Sequence, residues 1–436
     1  METLELSNWG GYPRITARVH SCEGEAMAQA VVRRTERLIA RGNGCCYGDS
    51  SLQTQVLATR SLQRIHHLDT ERELLRAEAG CTLGELLDFL IPRGFCLPVL
   101  PGSQYISLGG AIAANAHGKD HRRRAALGAW LRSIRLLKAD GSIVDCSSER
   151  AAEDFYATIG GLGLTGVILA ANLRVRPIET SYLEVESLRS GNLAETMRYL
   201  AEAEHYAVAW LEGTVGGRRR GRGLVGRARP LSRAELPPAY RAQPLAWKKR
   251  RHWFVPTWFP TPLLNATTLR GFNRVYYHRQ SRRRQVRIEP YASFFFPLDT
   301  ITHWNRLYGT KGFVQYQFVL PLATSEVGLE AILGAIEAAR IWPYLSVLKL
   351  LGPEKLPVAS LSFPREGYTL ALDFPRRPAV LALLDRLDAL VIQYGGRVYL
   401  AKDARLSKPH FQQMYPTAFP HPDRFHSLQS QRLGIS

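Results

Sequence analysis

At 436 residues, with 45% hydrophobic and 22% charged side chains, the chain is a globular protein too long for one ordinary core, so two domains or a large insertion are expected. METLELSNWGGYPRI shows no basic segment leading into an apolar run, and no stretch reaches membrane-spanning length, so the expected location is the cytoplasm. Six scattered cysteines (Cys22, Cys45, Cys46, Cys81, Cys96, Cys146) with no ligand spacing read as reduced thiols and argue against a metal site, while a net charge of +19 favours an anionic partner.

In chain order, "EGEAMAQAVVRRTERLIARG" predicts a helix with Met27, Val31, Leu38 and Ile39 near one face. The stretch "GNGCCYGDSS" (42–51) follows, and the segment from 51 to 80 alternates like strands. "CTLGELLDFLIPRG" predicts a helix opened by a Thr82/Glu85 capping box and stopped at Gly94. "SIRLLKADGSIVDC" predicts a hairpin around Asp140-Gly141. "EDFYATIGGLGLTGVILAANLRVRP" reads as helix, glycine turn and strand, so Gly161, Gly163 and Gly166 match G-x-G-x-x-G in the wrong order for a dinucleotide fingerprint.

After Thr180 the character changes to longer helical patterns, basic loops and the aromatic-basic run "WKKRRHWFVPTWFPTPLL" (247–264). "GFVQYQFVLP" and "GYTLALDFP" read as strands flanking a helical segment, and the chain closes with "GGRVYLAKDARL". The charge gathers in "HRRR" (121–124), "GRRRGR" (217–222), "KKRRH" (248–252) and "RQSRRRQVR" (279–287), read as loops.

Two glycine-rich loops, 42–51 and "PGSQYISLGGAIAANAHGKDH" (101–121), can offer backbone N–H groups to a pyrophosphate from two sides. With "ATIGGLGLTGVI", "HWNRLYGTKGFVQYQFVLP", "LKLLGP" and "GGRVYLAKDAR" in the same order, they closely resemble the decaprenylphosphoryl-β-D-ribose 2-oxidases of the vanillyl-alcohol-oxidase-like FAD superfamily. That family is the flavoprotein half of the epimerase making the arabinose donor of mycobacterial cell walls, and the resemblance runs from "LSNWGG" to about Pro416.

The resemblance implies an α+β, two-domain FAD-linked oxidase fold. A PCMH-type FAD-binding domain would span 1–178, an α+β substrate domain with an antiparallel sheet 179–394, and a C-terminal segment, 395–436, would return to the first domain. FAD would be held by Gly42, Asn43, Gly44, Cys45, Cys46, Tyr47 and Gly48, and by Gly102, Ser103, Gly109, Gly110, Ala113, His117 and Gly118. Gly163 and Val167 would lie along the adenosine half, with Tyr399 over the flavin. His117, Lys119, Gln317, Lys349, Tyr399 and Lys402 would line the substrate pocket, with Lys402 as base or alkoxide stabiliser and His117 positioning substrate and flavin. Cys45 stands where covalent members of the superfamily carry a flavin-linked histidine and the ribose oxidases an arginine. A thiolate could attack the flavin there, but the implied state is non-covalent FAD with Cys45 as a small loop residue. Ala371, Thr369 and Phe295 replace a cysteine, an asparagine and a tyrosine of the family pattern.

The implied reaction is oxidation of the 2-hydroxyl of a polyprenyl-phosphate pentose, completed to a net epimerisation by a separate NAD(P)H-dependent short-chain reductase. Work on such a lipid implies peripheral attachment to the inner membrane face, through aromatic and basic residues of 247–264 on anionic lipid. An oxidase of a soluble sugar or polyol stays open. A basic nucleic-acid-binding module leaves both glycine loops unexplained, so no nucleic-acid partner is expected.

Overall fold

The computed structural model describes residues 2–247, 253–256, 265–280, 282–357, 361–417 and 424–435. The first two strands, Glu2–Ser7 and Arg14–Ser21, pair antiparallel, and the second continues in parallel through Gln55–Ala58 to Ile39–Arg41. The helix before that edge strand is shorter than the sequence pattern suggests. It spans Glu25–Arg34, buries Ala28 and Val32 and ends where Thr35 turns extended. Leu38 and Ile39 therefore do not share its face: Ile39 opens the strand, and Leu38 bridges to Phe425. Met27 stays exposed. Four polar residues, Arg34 to Arg37, separate the helical apolar period from the strand's own buried residues.

A second, antiparallel sheet orders Ile65–Asp69, Leu74–Glu78, Val167–Arg174, Leu131–Leu137 and Ile143–Cys146. Its last two strands form the Asp140-Gly141 hairpin, with Gly141 at φ +84° as such a turn requires. The helix Leu83–Leu90 has the Thr82/Glu85 capping box, buries Leu83, Leu86, Leu87 and Leu90, and is followed by a short 3₁₀ turn that closes on left-handed Gly94.

The largest element is an eight-stranded antiparallel sheet, ordered Arg284–Pro290, Tyr182–Ser190, Gly223–Pro230, Tyr206–Leu211, Leu345–Leu351, Gly367–Pro375, Phe313–Leu320 and Arg397–Val398. Alternation along its strands separates two faces. Tyr316, Phe318, Leu320, Leu348, Leu370, Leu372 and Phe374 form a core with Leu329, Ile332 and Ile336 of the helix Leu322–Ala339 and Leu383, Leu387 and Val391 of the helix Pro378–Gln393. The opposite parity presents Gln315, Gln317, Lys349, Thr369, Ala371 and Asp373.

The basic runs are not all loops. Arg284 and Arg287 lie on the edge strand of the large sheet, where charge discourages pairing with another chain. Arg220 bridges Glu330 and Glu337, Arg222 pairs with Glu212, Arg124 with Asp120 and Arg284 with Glu186. Three of the four runs thus commit members to internal ion pairs; the fourth, 248–252, lies outside the described residues. No helix of the described residues is long and apolar enough to cross a membrane.

The chain end folds back on its start. Leu38 N donates to Arg424 O and His426 N to Leu38 O, and Arg432 bridges Asp49 and Asp403.

Candidate active site

The two glycine loops meet. Asn43 Nδ2 donates to the Tyr105 carbonyl at 2.9 Å, and Cys45 Sγ reaches the same oxygen at 3.4 Å. A Cβ on Gly42 would stand 2.1 Å from Ser107 Oγ, and one on Gly48 1.8 Å from the Asp403 carbonyl, so only glycine permits these approaches. Tyr47 N donates to Ala401 O at 3.1 Å, which ties the first loop to the turn carrying Lys402.

In the second loop Ser103 Oγ accepts from Tyr105 N, and Ser107 caps the helix Leu108–Ala113. Gly109 is pressed against Ala79, Gly118 against Leu100, and Leu162 N donates to Ala113 O. Gly102 and Gly110 are exposed, and a Cβ on Gly102 would meet nothing within 4 Å. The backbone is therefore bare at Gly102 and Gly110 of the second loop, and exposed glycine N–H groups of this kind suit a nucleotide diphosphate. Gly163 (φ +77°) lies in the turn before the strand Val167–Arg174, after a helix, so the G-x-G-x-x-G there is not a dinucleotide fingerprint. The Val167 side chain is fully buried among Leu38, Leu57 and Phe425, leaving only its backbone for a ligand.

Against the second loop, the polar face of the large sheet carries the basic groups. Gln317 Nε2 donates to Thr369 Oγ1 at 3.1 Å and lies 3.3 Å from His117 Nε2. Gln317 being the donor, His117 Nε2 accepts, and Nδ1 carries the proton with no partner among the described residues. Burial first, then the charges of Lys349, His121 and Lys402, hold the His117 imidazole well below its usual pKa. It is a neutral donor at pH 7. Tyr399 stacks on Phe363 at 4.4 Å, lies 5.5 Å from His117 and donates its hydroxyl to Ala114 O.

Three half-buried lysines complete the cluster, none of them ion-paired with a carboxylate among the described residues. Lys119 Nζ donates to the Phe294 and Phe295 carbonyls at 2.8 Å each, and desolvation with Lys349 nearby brings it down to about 7. Desolvation and the charge of Lys402 bring Lys349 down to about 8. Lys402 Nζ sits 3.7 Å above the Tyr47 ring, and desolvation, partly offset by Asp373, brings it to about 8. Desolvation pushes the Cys45 thiol up to about 12, so it is no thiolate at neutral pH. All six cysteines are free thiols.

Sequence reasoning missed two buried residues here. His121, beside His117 at 6.3 Å, accepts from Gly352 N through Nδ1 and leaves Nε2 without a partner among the described residues. Asp373 accepts from Gln315 Nε2 at 2.6 Å and from the Tyr308 hydroxyl at 3.1 Å. Its signal was present: an acid in the apolar run "GYTLALDFP", at the parity of Thr369 and Ala371. Trp247 is turned inward and donates to Asp88, while Trp253 and Phe254 are 78% and 61% exposed. Lys248, Lys249, Arg250, Arg251, Trp258 and Phe259 lie outside the described residues.

Bare backbone in a glycine loop, next to basic groups on a sheet, suits a flavin-dependent oxidoreductase. Residues 17–147 match the FAD binding domain family, and FAD is the cofactor. The chain is 33% identical over 426 residues to decaprenylphosphoryl-beta-D-ribose oxidase of Mycolicibacterium smegmatis, covering 95% of this chain and 92% of that protein. It belongs to that oxidase family. Shorter likenesses link it to human delta(24)-sterol reductase, 29% identical over 36% of this chain and 30% of that protein. Mouse L-gulonolactone oxidase is 28% identical over 34% of each.

Proposed function

We propose that the protein oxidises the 2-hydroxyl of a polyprenyl-phosphate pentose to the 2-keto sugar, with Lys402 and His117 as its catalytic residues. The observation carrying this reading is the set of half-buried lysines, 119, 349 and 402, that lack carboxylate ion-pair partners among the described residues. Such a set suits an anionic substrate and an oxygen that develops negative charge. The name of the mycobacterial relative supports the lipid-linked ribose.

Bound non-covalently along Gly42–Gly48 and Gly102–Gly118, with Gly163 and Val167 toward its adenosine end, FAD would accept the hydride from the sugar carbon. As that C–H bond breaks, the hydroxyl proton passes to neutral Lys402 and the C–O bond becomes a carbonyl. Lys402 near pKa 8 is partly neutral at physiological pH, as a general base should be. His117 Nδ1–H, held in that tautomer by Gln317, orients the substrate against the Tyr399 side of the pocket. Lys119 and Lys349 hold its negative charge. Cys45, neutral in its loop, makes no bond to the flavin.

The finer context belongs to the same proposal. Residues 1–178 bind the cofactor, 179–394 the substrate, and 395–436 close the first unit. A short-chain NAD(P)H-dependent reductase takes the keto sugar on to the epimer. The enzyme works peripherally on anionic lipid, which exposed Trp253 and Phe254 and the charge of +19 support.

The test is product analysis with prenyl-phosphoryl ribose and with free ribose, after denaturation has shown whether flavin leaves the polypeptide. Trapped 2-keto sugar from the lipid substrate alone is expected, with flavin released. Equal turnover of free ribose would remove the lipid from the reading, and retained flavin would make Cys45 its anchor.

A further inference from the structure

We propose that Asp373, fully buried on the polar face of the large sheet, is a positioning residue that holds Lys402 in place and governs its proton affinity through Gln315 and Tyr47. The inference rests on the reading of Lys402 as proton acceptor. It starts from a connected set of contacts. Lys402 Nζ lies over the face of Tyr47 at 3.7 Å. The Gln315 side chain hydrogen-bonds the Tyr47 hydroxyl and donates to Asp373 Oδ1 at 2.6 Å. Tyr308 donates to Asp373 Oδ2 at 3.1 Å and stacks on Phe313 at 4.2 Å, and Phe313 meets the edge of Tyr47.

Asp373 is fully buried and has no ion-pair partner among the described residues. A carboxylate in that state is costly, and a neutral amide of the same shape would fill the site with less penalty. The groups around Lys402 give this carboxylate a role. Tyr47, Cys45 and Cys46 face Lys402 from the first glycine loop, Lys349 from the strand Leu345–Leu351 and His117 from the second loop. The cysteine thiol at position 45, the imidazole and the phenol are neutral near pH 8, and Lys349 is a cation below about 8. Asp373 is the carboxylate that opposes desolvation at Lys402. Burial leaves it ionised only above about 6, so between about 6 and 8 an anion keeps the lysine protonated and aligned on the ring. Above that range the amine is free to take a proton.

The experiment compares wild-type holoenzyme with Asp373→Asn and Tyr308→Phe. Two readouts are taken across pH: kcat/KM, and the rate at which acetic anhydride labels Lys402, read by mass spectrometry. Removing the anion lowers the proton affinity of Lys402, so in Asp373→Asn both midpoints move to lower pH by about one unit, a tenfold change in the protonation ratio. Tyr308→Phe keeps the charge and loses one hydrogen bond, so its midpoints stay within a few tenths of a unit, on the order expected for a lost neutral contact. A purely structural role would depress kcat/KM equally at every pH and leave the labelling midpoint in place, and that result overturns the proposal. A shifted labelling midpoint with an unshifted rate profile would keep Asp373 in its role and sink Lys402 as the base. Should Asp373→Asn not fold, Gln315→Leu replaces it: with a donor lost the carboxyl stays protonated longer, and an unmoved labelling midpoint would again overturn the idea.

Discussion

The two faces of the large sheet are built from the same strands and do opposite work. Phe318, Leu370 and Leu348 point into helices and exclude water, whereas one residue along the chain Gln317, Thr369 and Lys349 point to the opposite, polar side. The first face supplies stability through apolar burial; the second costs stability, because lysines and a carboxylate are partly or fully desolvated there. The proposed chemistry thus lies on a surface whose rigidity comes from the layer beneath it. Substitutions on the two faces should separate activity from folding.

The largest effect is expected at Lys402. Lys402→Met should lower kcat by roughly 10²–10⁴, with flavin content and thermal midpoint at least equal to wild type, as steady-state kinetics and a melting scan would read. On the other face, Phe318→Ala should cost about 3–5 kcal/mol in urea unfolding while kcat per folded molecule changes less than about twofold. Loss of activity without loss of stability there would break the separation. In the first glycine loop, Gly42→Ala puts a methyl group 2.1 Å from Ser107 Oγ, so FAD affinity should fall about tenfold, measured by release of flavin fluorescence.

The smallest expected effect has the opposite sign. Lys349 has its folded-state pKa lowered to about 8 from an ordinary 10.5, so its stabilising share is present at high pH and lost as pH falls through about 8. Lys349→Met should therefore be more stable than wild type by about 1 kcal/mol at pH 7, allowing for partial exposure, and the gap should close by pH 10. The same variant should raise KM for an anionic substrate. Unfolding curves at the two pH values sharpen the contrast between the faces.

Local signals in the sequence were legible where short-range physics decides structure. The Thr82/Glu85 box, the Asp140-Gly141 hairpin and the glycine loops each rest on a few neighbouring residues. The large sheet was mostly hidden, because its strands pair across gaps such as Leu183 with Glu289 and Ala209 with Leu348. Its edge strand, RQVRIEP, carries too much charge to look like a strand. Leu38 and Ile39 extended a helical period by coincidence, and Thr35 was the break. In the site, Lys402 and His117 were reachable only through resemblance to a family, while Asp373 could have been found by asking why an acid shares a parity with Thr369 and Ala371.

The most direct test of the central claim is anaerobic mixing of flavin-loaded enzyme with prenyl-phosphoryl ribose, followed through the visible flavin band, for wild type and Lys402→Met. The account predicts rapid bleaching in the wild type and a rate lower by roughly 10² or more in the variant, with the band initially equal in both. Bleaching at the same rate in both, or none in the wild type, would contradict the assignment of the chemistry to this face of the sheet.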